Sequence, residues 1–178
     1  VLIKAVLQKT GSEYLTDVWP NMEVFFHGGI SFEPYRDQYK ALIPSDRMHY
    51  METYNASEGF FGLQDNPEEH SLLLMIDYSV FYEFIPINEV GEEHPTVLPL
   101  EAVEVGKNYA MVITTSGGLW RYQIGDTVRF TSLYPHKFVI SGRTKNFINA
   151  FGEELMVDNA DKAISRVCRQ TGAKVKEY

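Results

Sequence analysis

The chain has 178 residues, 44% of them hydrophobic and 13% aromatic, which is ample for one domain with a substantial core. Its net charge of -8 argues against broad binding to nucleic acid or to an anionic membrane, because those surfaces need an excess of Lys and Arg to displace counterions. The single Cys168 excludes an internal disulfide and a cysteine-rich metal site, in keeping with a cytoplasmic protein.

The chain starts at Val1 with no initiator Met, no leader pattern and no apolar run of about 18 residues, so it reads as soluble and as a piece of a longer protein. Residues Val1 to Lys9 carry a helical apolar stripe that stops before Gly11. Met22 to His27 reads as a short buried strand emptying into Gly28-Gly29, and Phe32 to Ile43 as a helix with Pro34 near its first turn. A second strand, Met48 to Tyr54, leads into Asn55-Ala56-Ser57-Glu58-Gly59.

Leu72 to Ile76 and Val80 to Ile87 are β-rich runs separated near Asp77-Tyr78-Ser79, both with a buried character. Asn88 to Pro95 is acidic and turn-rich. Lys107 to Thr115 and Leu119 to Tyr122 flank Ser116-Gly117-Gly118 as a hairpin signal. The β pattern continues through Thr127 to Ser132 and Lys137 to Ser141, and Met156 to Arg169 has a helical spacing at Val157, Ala160, Ile164 and Val167. The pattern predicts an α/β fold, with α+β as the alternative: a β-rich middle, flanking helices, and two small lobes joined near Asp126 to Lys145.

Two carboxylates stand out. Glu58, after Ser57 and before Gly59, can hold a magnesium ion whose other ligands are phosphate oxygens and water, or it can be a turn acid. Asp126, after Gly125, can accept two ribose hydroxyls with its two oxygens, and Gly-Asp is also an ordinary turn dipeptide. Tyr54 can stack on a purine or fill the core. The paired glycines Gly28 and Gly29 let a planar ligand approach the backbone beside His27. Arg143 can meet ribose or phosphate, and Gly152 can permit a tight reversal. The five histidines show no zinc spacing, and no nucleophile elbow or P-loop is present.

Taken in order, Tyr54-Asn-Ala-Ser-Glu-Gly59, Tyr82-Glu-Phe-Ile-Pro86, Thr114-Thr-Ser-Gly-Gly-Leu-Trp-Arg-Tyr-Gln-Ile-Gly-Asp126 and Lys137-Phe-Val-Ile-Ser-Gly-Arg143 resemble the auxin-responsive Gretchen Hagen family of acyl acid amido synthetases. The wording is closer to the family's bacterial members than to its plant ones. The resemblance implies part of the N-terminal domain of an adenylate-forming, luciferase-like enzyme. It also implies a two-step reaction, in which a carboxylic acid attacks ATP to give an acyl-adenylate and an amino acid's amine then displaces AMP.

By motif matching, Glu58 is the magnesium-associated catalytic acid, Tyr54 and Ser57 border adenine and phosphate, and Asp126 binds ribose. Phe138 is an aromatic beside the nucleotide, Arg143 lies at the hinge, and Gly28 and Gly29 border the adenine and acyl pockets. Residues 1–141 would be the ATP-site portion of the large adenylation domain, and 142–178 the hinge region and the start of the C-terminal segment. Gln123 departs from the plant pattern, which tends to carry a basic residue there.

The family's phosphate loop is expected upstream and its lysine-bearing mobile domain downstream, so the 178 residues alone are predicted to be inactive. Two other readings share these motifs: a non-catalytic binding or structural module, and an acyl-CoA synthetase.

Overall fold

The computed structural model describes residues 2–29, 32–144, 148–150, 153–155 and 157–173. Helices α1 (Leu2–Thr10) and α2 (Leu15–Val18) open the chain, and Gly11 ends the first with φ +69. The Asp17 carboxylate accepts the Tyr14 backbone N–H at 2.9 Å and so satisfies a donor at the start of α2. Strand β1 (Val24–His27), helix α3 (Arg36–Leu42) and strand β2 (His49–Ala56) follow.

The β-rich middle runs β3 (Gly59–Leu63), β4 (Leu72–Leu74), β5 (Val80–Pro86), β6 (Leu98–Pro99), β7 (Asn108–Thr115), β8 (Tyr122–Leu133) and β9 (His136–Arg143). A small hairpin, β10 (Ile148–Ala150) with β11 (Glu153–Leu155), leads to helix α4 (Val157–Thr171).

Strands β1 to β9 form one sheet in the order β1-β2-β3-β4-β9-β8-β7-β5-β6. Only β1 and β2 run parallel; the other pairs are antiparallel. The apolar run of β7 shows why this sheet is stable. Successive side chains leave opposite faces, so Tyr109, Met111 and Ile113 enter the main core while Ala110 and Val112 enter a smaller cluster with Ile85. A strand covered on both faces needs no polar alternation. Aromatic edges knit the main core, as where Phe84 meets Phe130 at 5.1 Å and 78°. A separate aromatic cluster around Leu15, Phe32, Ile43, Met48 and Tyr50 joins α1, α2 and α3 to β2.

The mixed sheet with flanking helices agrees with the α/β expectation, and several local expectations need correction. Among the described residues β1 is an edge strand, and it is not buried: Val24 and Phe26 leave the same face and are exposed, while Phe25 on the other face packs against the aromatic cluster. The second helix begins at Arg36, since Phe32 to Tyr35 form a turn in which Pro34 has no N–H and both Tyr35 and Arg36 donate to the Phe32 carbonyl. Strand β3 was not anticipated at all.

Among the described residues no break between lobes falls from Asp126 to Arg143, because β8 runs unbroken through Asp126 and pairs with β9 within the same sheet. On α4, Val167 faces solvent while Ser165 is buried. Gly152 and Lys145 lie outside the described residues.

Candidate functional site

The β2–β3 hairpin sets the first motif. Ala56 pairs with Gly59, which leaves Ser57-Glu58 as a two-residue turn, so Glu58 stands in a hairpin loop and not at a strand end. A register shift follows at once: Asn55 faces Phe60 but Tyr54 faces Gly62, with Phe61 the extra residue. That bulge places Phe61 against the Tyr54 ring, with centroids 5.2 Å apart.

A second bulge sets Asp126. Along β7 and β8, Ala110 pairs with Thr127 and Val112 with Gln123, so Met111 alone faces Ile124, Gly125 and Asp126. The excess is absorbed at Gly125, whose φ of +87 is readily adopted only without a side chain. Asp126 is therefore an interior strand residue on a bulge, not the strand-terminal residue anticipated. Across the next pair Asp126 is in register with Arg143, and the Thr144 N–H donates to the Gly125 carbonyl at 2.9 Å.

These two bulges bring three of the anticipated residues together. The Tyr54 hydroxyl donates to Asp126 Oδ2 at 2.7 Å, and Arg143 Nε meets Asp126 Oδ1 at 3.1 Å. Among the described residues each carboxylate oxygen thus has one protein donor and can accept one more bond. Burial, and then the Asp126 charge, push the Tyr54 phenol far above its ordinary range, so it stays a neutral donor. Glu58 adds to that field, which places its charge near Tyr54.

The other anticipated residues divide. Gly28 follows β1, and a Cβ there would sit 2.4 Å from the Thr53 carbonyl oxygen, so the close approach of β1's end to β2 requires glycine. Gly29 has φ +85 and open space around it. Ser57 is exposed beside Glu58.

Phe138 is fully buried, against the Tyr54 and Phe130 rings, and has no surface for a nucleotide. Tyr54, 5% exposed, likewise has no free face for stacking on a purine; what it presents is its hydroxyl. Tyr54 was expected to border adenine and Phe138 to lie beside the nucleotide, and both are core residues, the Phe138 ring filling the space that Gly62 leaves. Arg121, two residues before Gln123, sits in a turn with φ +45 and forms two hydrogen bonds to Glu83 at 2.9 and 3.0 Å.

Sequence reasoning singled out His27 but missed its partner Glu52 at the end of the parallel pair. His27 and Glu52 are register partners, so their side chains leave the same face of the sheet. The His27 ring stacks on Phe32 at 4.2 Å with both nitrogens buried and without hydrogen-bond partners. Burial lowers its pKa to about 4, and burial raises that of Glu52 to about 7. The available signal was the apolar setting of His27, in Val24-Phe25-Phe26-His27.

Neither of two surface grooves, of about 440 and 380 Å³, includes Glu58 or Asp126. Among the described residues no three or more His, Cys, Asp or Glu side chains gather as a metal cage, and no helix is long and apolar enough to cross a membrane.

The architecture is that of a known enzyme fold. The Arabidopsis thaliana GH3.15 acyl acid amido synthetase, solved in complex with 2,4-DB, superimposes with a TM-score of 0.63 over 84% of this chain and 26% of that one, at 23% identity. The model of the GH3 family N-terminal domain matches residues 1–48 and that of the GH3 family central domain matches residues 73–143; the chain belongs to the GH3 family.

Among curated relatives, indole-3-acetic acid-amido synthetase GH3.4 of Arabidopsis thaliana is 32% identical over 197 aligned residues, taking in 99% of this chain and 32% of that protein. The GH3 domain-containing protein of Homo sapiens is 32% identical over 130, or 70% of this chain and 24% of that protein. The chain spans about a third of the length of the first curated relatives it matches. The central-domain match carries Asp126 and Arg143, while Tyr54 and Glu58 fall between the two matched segments.

Proposed function

We propose that this chain is the central, nucleotide-binding portion of an ATP-dependent ligase that joins a carboxylic acid to an amino acid through an acyl-adenylate. The observation that carries the reading is the Asp126 carboxylate: it is held on two sides by Tyr54 and Arg143 and keeps one acceptor position on each oxygen, in a chain whose relatives include indole-3-acetic acid-amido synthetases.

Asp126 takes the ribose hydroxyls of ATP and AMP. Arg143, 63% exposed, meets Asp126 through Nε, and its other guanidinium nitrogens can meet ribose or phosphate beside it. Gly28 and Gly29 border adenine and the acyl group, where absent side chains leave the backbone of β1's end accessible. Phe138 acts from beneath, as the support of Tyr54.

Glu58, with Ser57 next to it, is the magnesium-associated acid. A single carboxylate in an open turn fits magnesium, which is commonly held by one or two carboxylates with phosphate oxygens and water completing the shell. When bound, the ion neutralises the phosphate charge that builds as pyrophosphate departs. The two segments 1–141 and 142–178 serve as the ATP-site portion and the hinge with the start of the following domain. The setting is cytoplasmic, and the reaction belongs to the full-length protein, not to this span alone.

The test is ATP–pyrophosphate exchange by the full-length protein, scanned over carboxylic acids and followed by amino acids against coenzyme A as acceptor. Exchange with some acid and transfer to an amine are expected; no exchange with any acid refutes the ligase reading. Asp126→Ala should weaken ATP binding by about 1.5 to 3 kcal/mol, the range for hydrogen bonds to a charged group. Glu58→Ala should instead raise the magnesium concentration needed for half-maximal exchange.

A further inference from the structure

Tyr54 and Asp126 are 72 residues apart in the chain, and their contact is the shortest hydrogen bond in the cluster, 2.7 Å from Oη to Oδ2. The phenol ring cannot rotate away: it is 5% exposed, with Phe61 on one side at 5.2 Å and Phe138 meeting it edge-on at 6.0 Å. Asp126 rides on the Gly125 bulge, where the regular ladder with β7 is interrupted, so the strand pairing on that side does not by itself fix its side chain.

Two donors fix it instead. Arg143 reaches Oδ1 from the neighbouring strand, but its side chain is 63% exposed and therefore a loose constraint. Tyr54 reaches Oδ2 from inside the core and is the rigid one. With one lone-pair position on each oxygen taken, the remaining pair forms a two-pronged acceptor whose plane is set by Tyr54. Such an acceptor matches a vicinal cis-diol, and a sugar lacking either hydroxyl satisfies only half of it.

Resting on the ribose assignment of Asp126, we infer that Tyr54 is a positioning residue which, through its hydroxyl and not its ring face, locks the Asp126 carboxylate to select ribonucleotides over deoxyribonucleotides.

The experiment measures binding of ATP and of 2′,3′-dideoxy-ATP to the full-length protein, its Tyr54→Phe variant, and a form with 3-fluorotyrosine at position 54. The wild type should prefer ATP. Tyr54→Phe should bind ATP about tenfold more weakly, the consequence of losing one hydrogen bond to a charged group, while its affinity for the dideoxy nucleotide stays unchanged. The fluorinated ring keeps the hydroxyl and should keep the wild-type preference, a check that holds even where Tyr54→Phe does not fold.

Equal weakening for both nucleotides in Tyr54→Phe, an undiminished ATP preference there, or loss of the preference in the fluorinated form overturns the positioning role alone. Equal affinity of the wild type for the two nucleotides strikes down the ribose assignment itself.

Discussion

Asp126 and Glu52 are both carboxylates on strands of the main sheet, and the sheet treats them differently. Asp126 lies on the interior strand β8, with Tyr54 and Arg143 each donating to one of its oxygens. Glu52 lies on β2 next to the edge strand; burial outweighs the favourable charge of Arg36, Glu33 opposes it further, and the carboxyl stays protonated up to about pH 7. His27, across from Glu52, answers to the same Arg36 and Glu33, with desolvation again the dominant influence. A polar group in the sheet is fixed where other strands bring donors to it, as β2 and β9 do for Asp126, and is a titratable burden where burial outweighs the charges near it, as at Glu52.

The largest effect should come from breaking the paired group. Asp126→Ala leaves the Tyr54 hydroxyl buried without its acceptor, which costs about 2 to 3 kcal/mol. Glu58→Ala, in a hairpin turn, should change stability by under about 0.5 kcal/mol, as surface substitutions do. Urea midpoints of the two variants of the full-length protein make the comparison; equal shifts would show that the Tyr54–Asp126 bond contributes nothing to the core.

Next in size is Glu52. Its folded-state pKa lies above the unfolded value of 4.5, so the stability linked to its protonation is complete below pH 4.5 and is lost as pH rises through about 7. Glu52→Gln keeps the shape and removes the charge. It should match the wild type near pH 4.5 and exceed it by about 2 kcal/mol above pH 8, a discounted figure because the carboxyl is only partly buried. Identical stability profiles from pH 4.5 to 8 would mean that Glu52 ionises freely in the fold.

How much of this was legible depends on the range of the interaction. The buried run in β7 and the final helix follow from local pattern and are present, and β7 and β8 do form a hairpin past Ser116-Gly117-Gly118, but its second arm begins at Tyr122 and not at Leu119. The motifs bearing Tyr54, Glu58 and Asp126 were found as words, but the geometry that joins two of them was not. It depends on a bulge on β8 and another between β2 and β3, and a one-residue slip of register leaves no mark on composition.

Strand β3 escaped because Gly59-Phe60-Phe61-Gly62-Leu63 does not alternate and carries two glycines, a breaker signal. One of those glycines is there for packing: a Cβ on Gly62 would lie 2.9 Å from the Phe138 ring. The same fact explains why Phe138 resembles a ligand-facing aromatic in the sequence and yet is a core residue in the fold.

His27 supplies the smallest effect and the sharpest contrast with Glu52, because its window runs the other way. Its pKa is depressed from 6.5 to about 4, so the stability linked to its neutral form is complete above pH 6.5 and is lost as pH falls through about 4. The ring nitrogens are buried but the residue as a whole is only partly so, and the loss, discounted for that exposure, should be about 1 kcal/mol between pH 6.5 and 4. His27→Phe keeps a ring stacked on Phe32 and has nothing to protonate. Thermal unfolding across that interval should then show the variant losing about 1 kcal/mol less than the wild type, with the two close at pH 7. The carboxylates common to both proteins cancel in this difference. If the two lose stability in parallel on acidification, the edge imidazole is as well solvated as a surface one, and the contrast between the paired interior and the one-sided edge fails at His27.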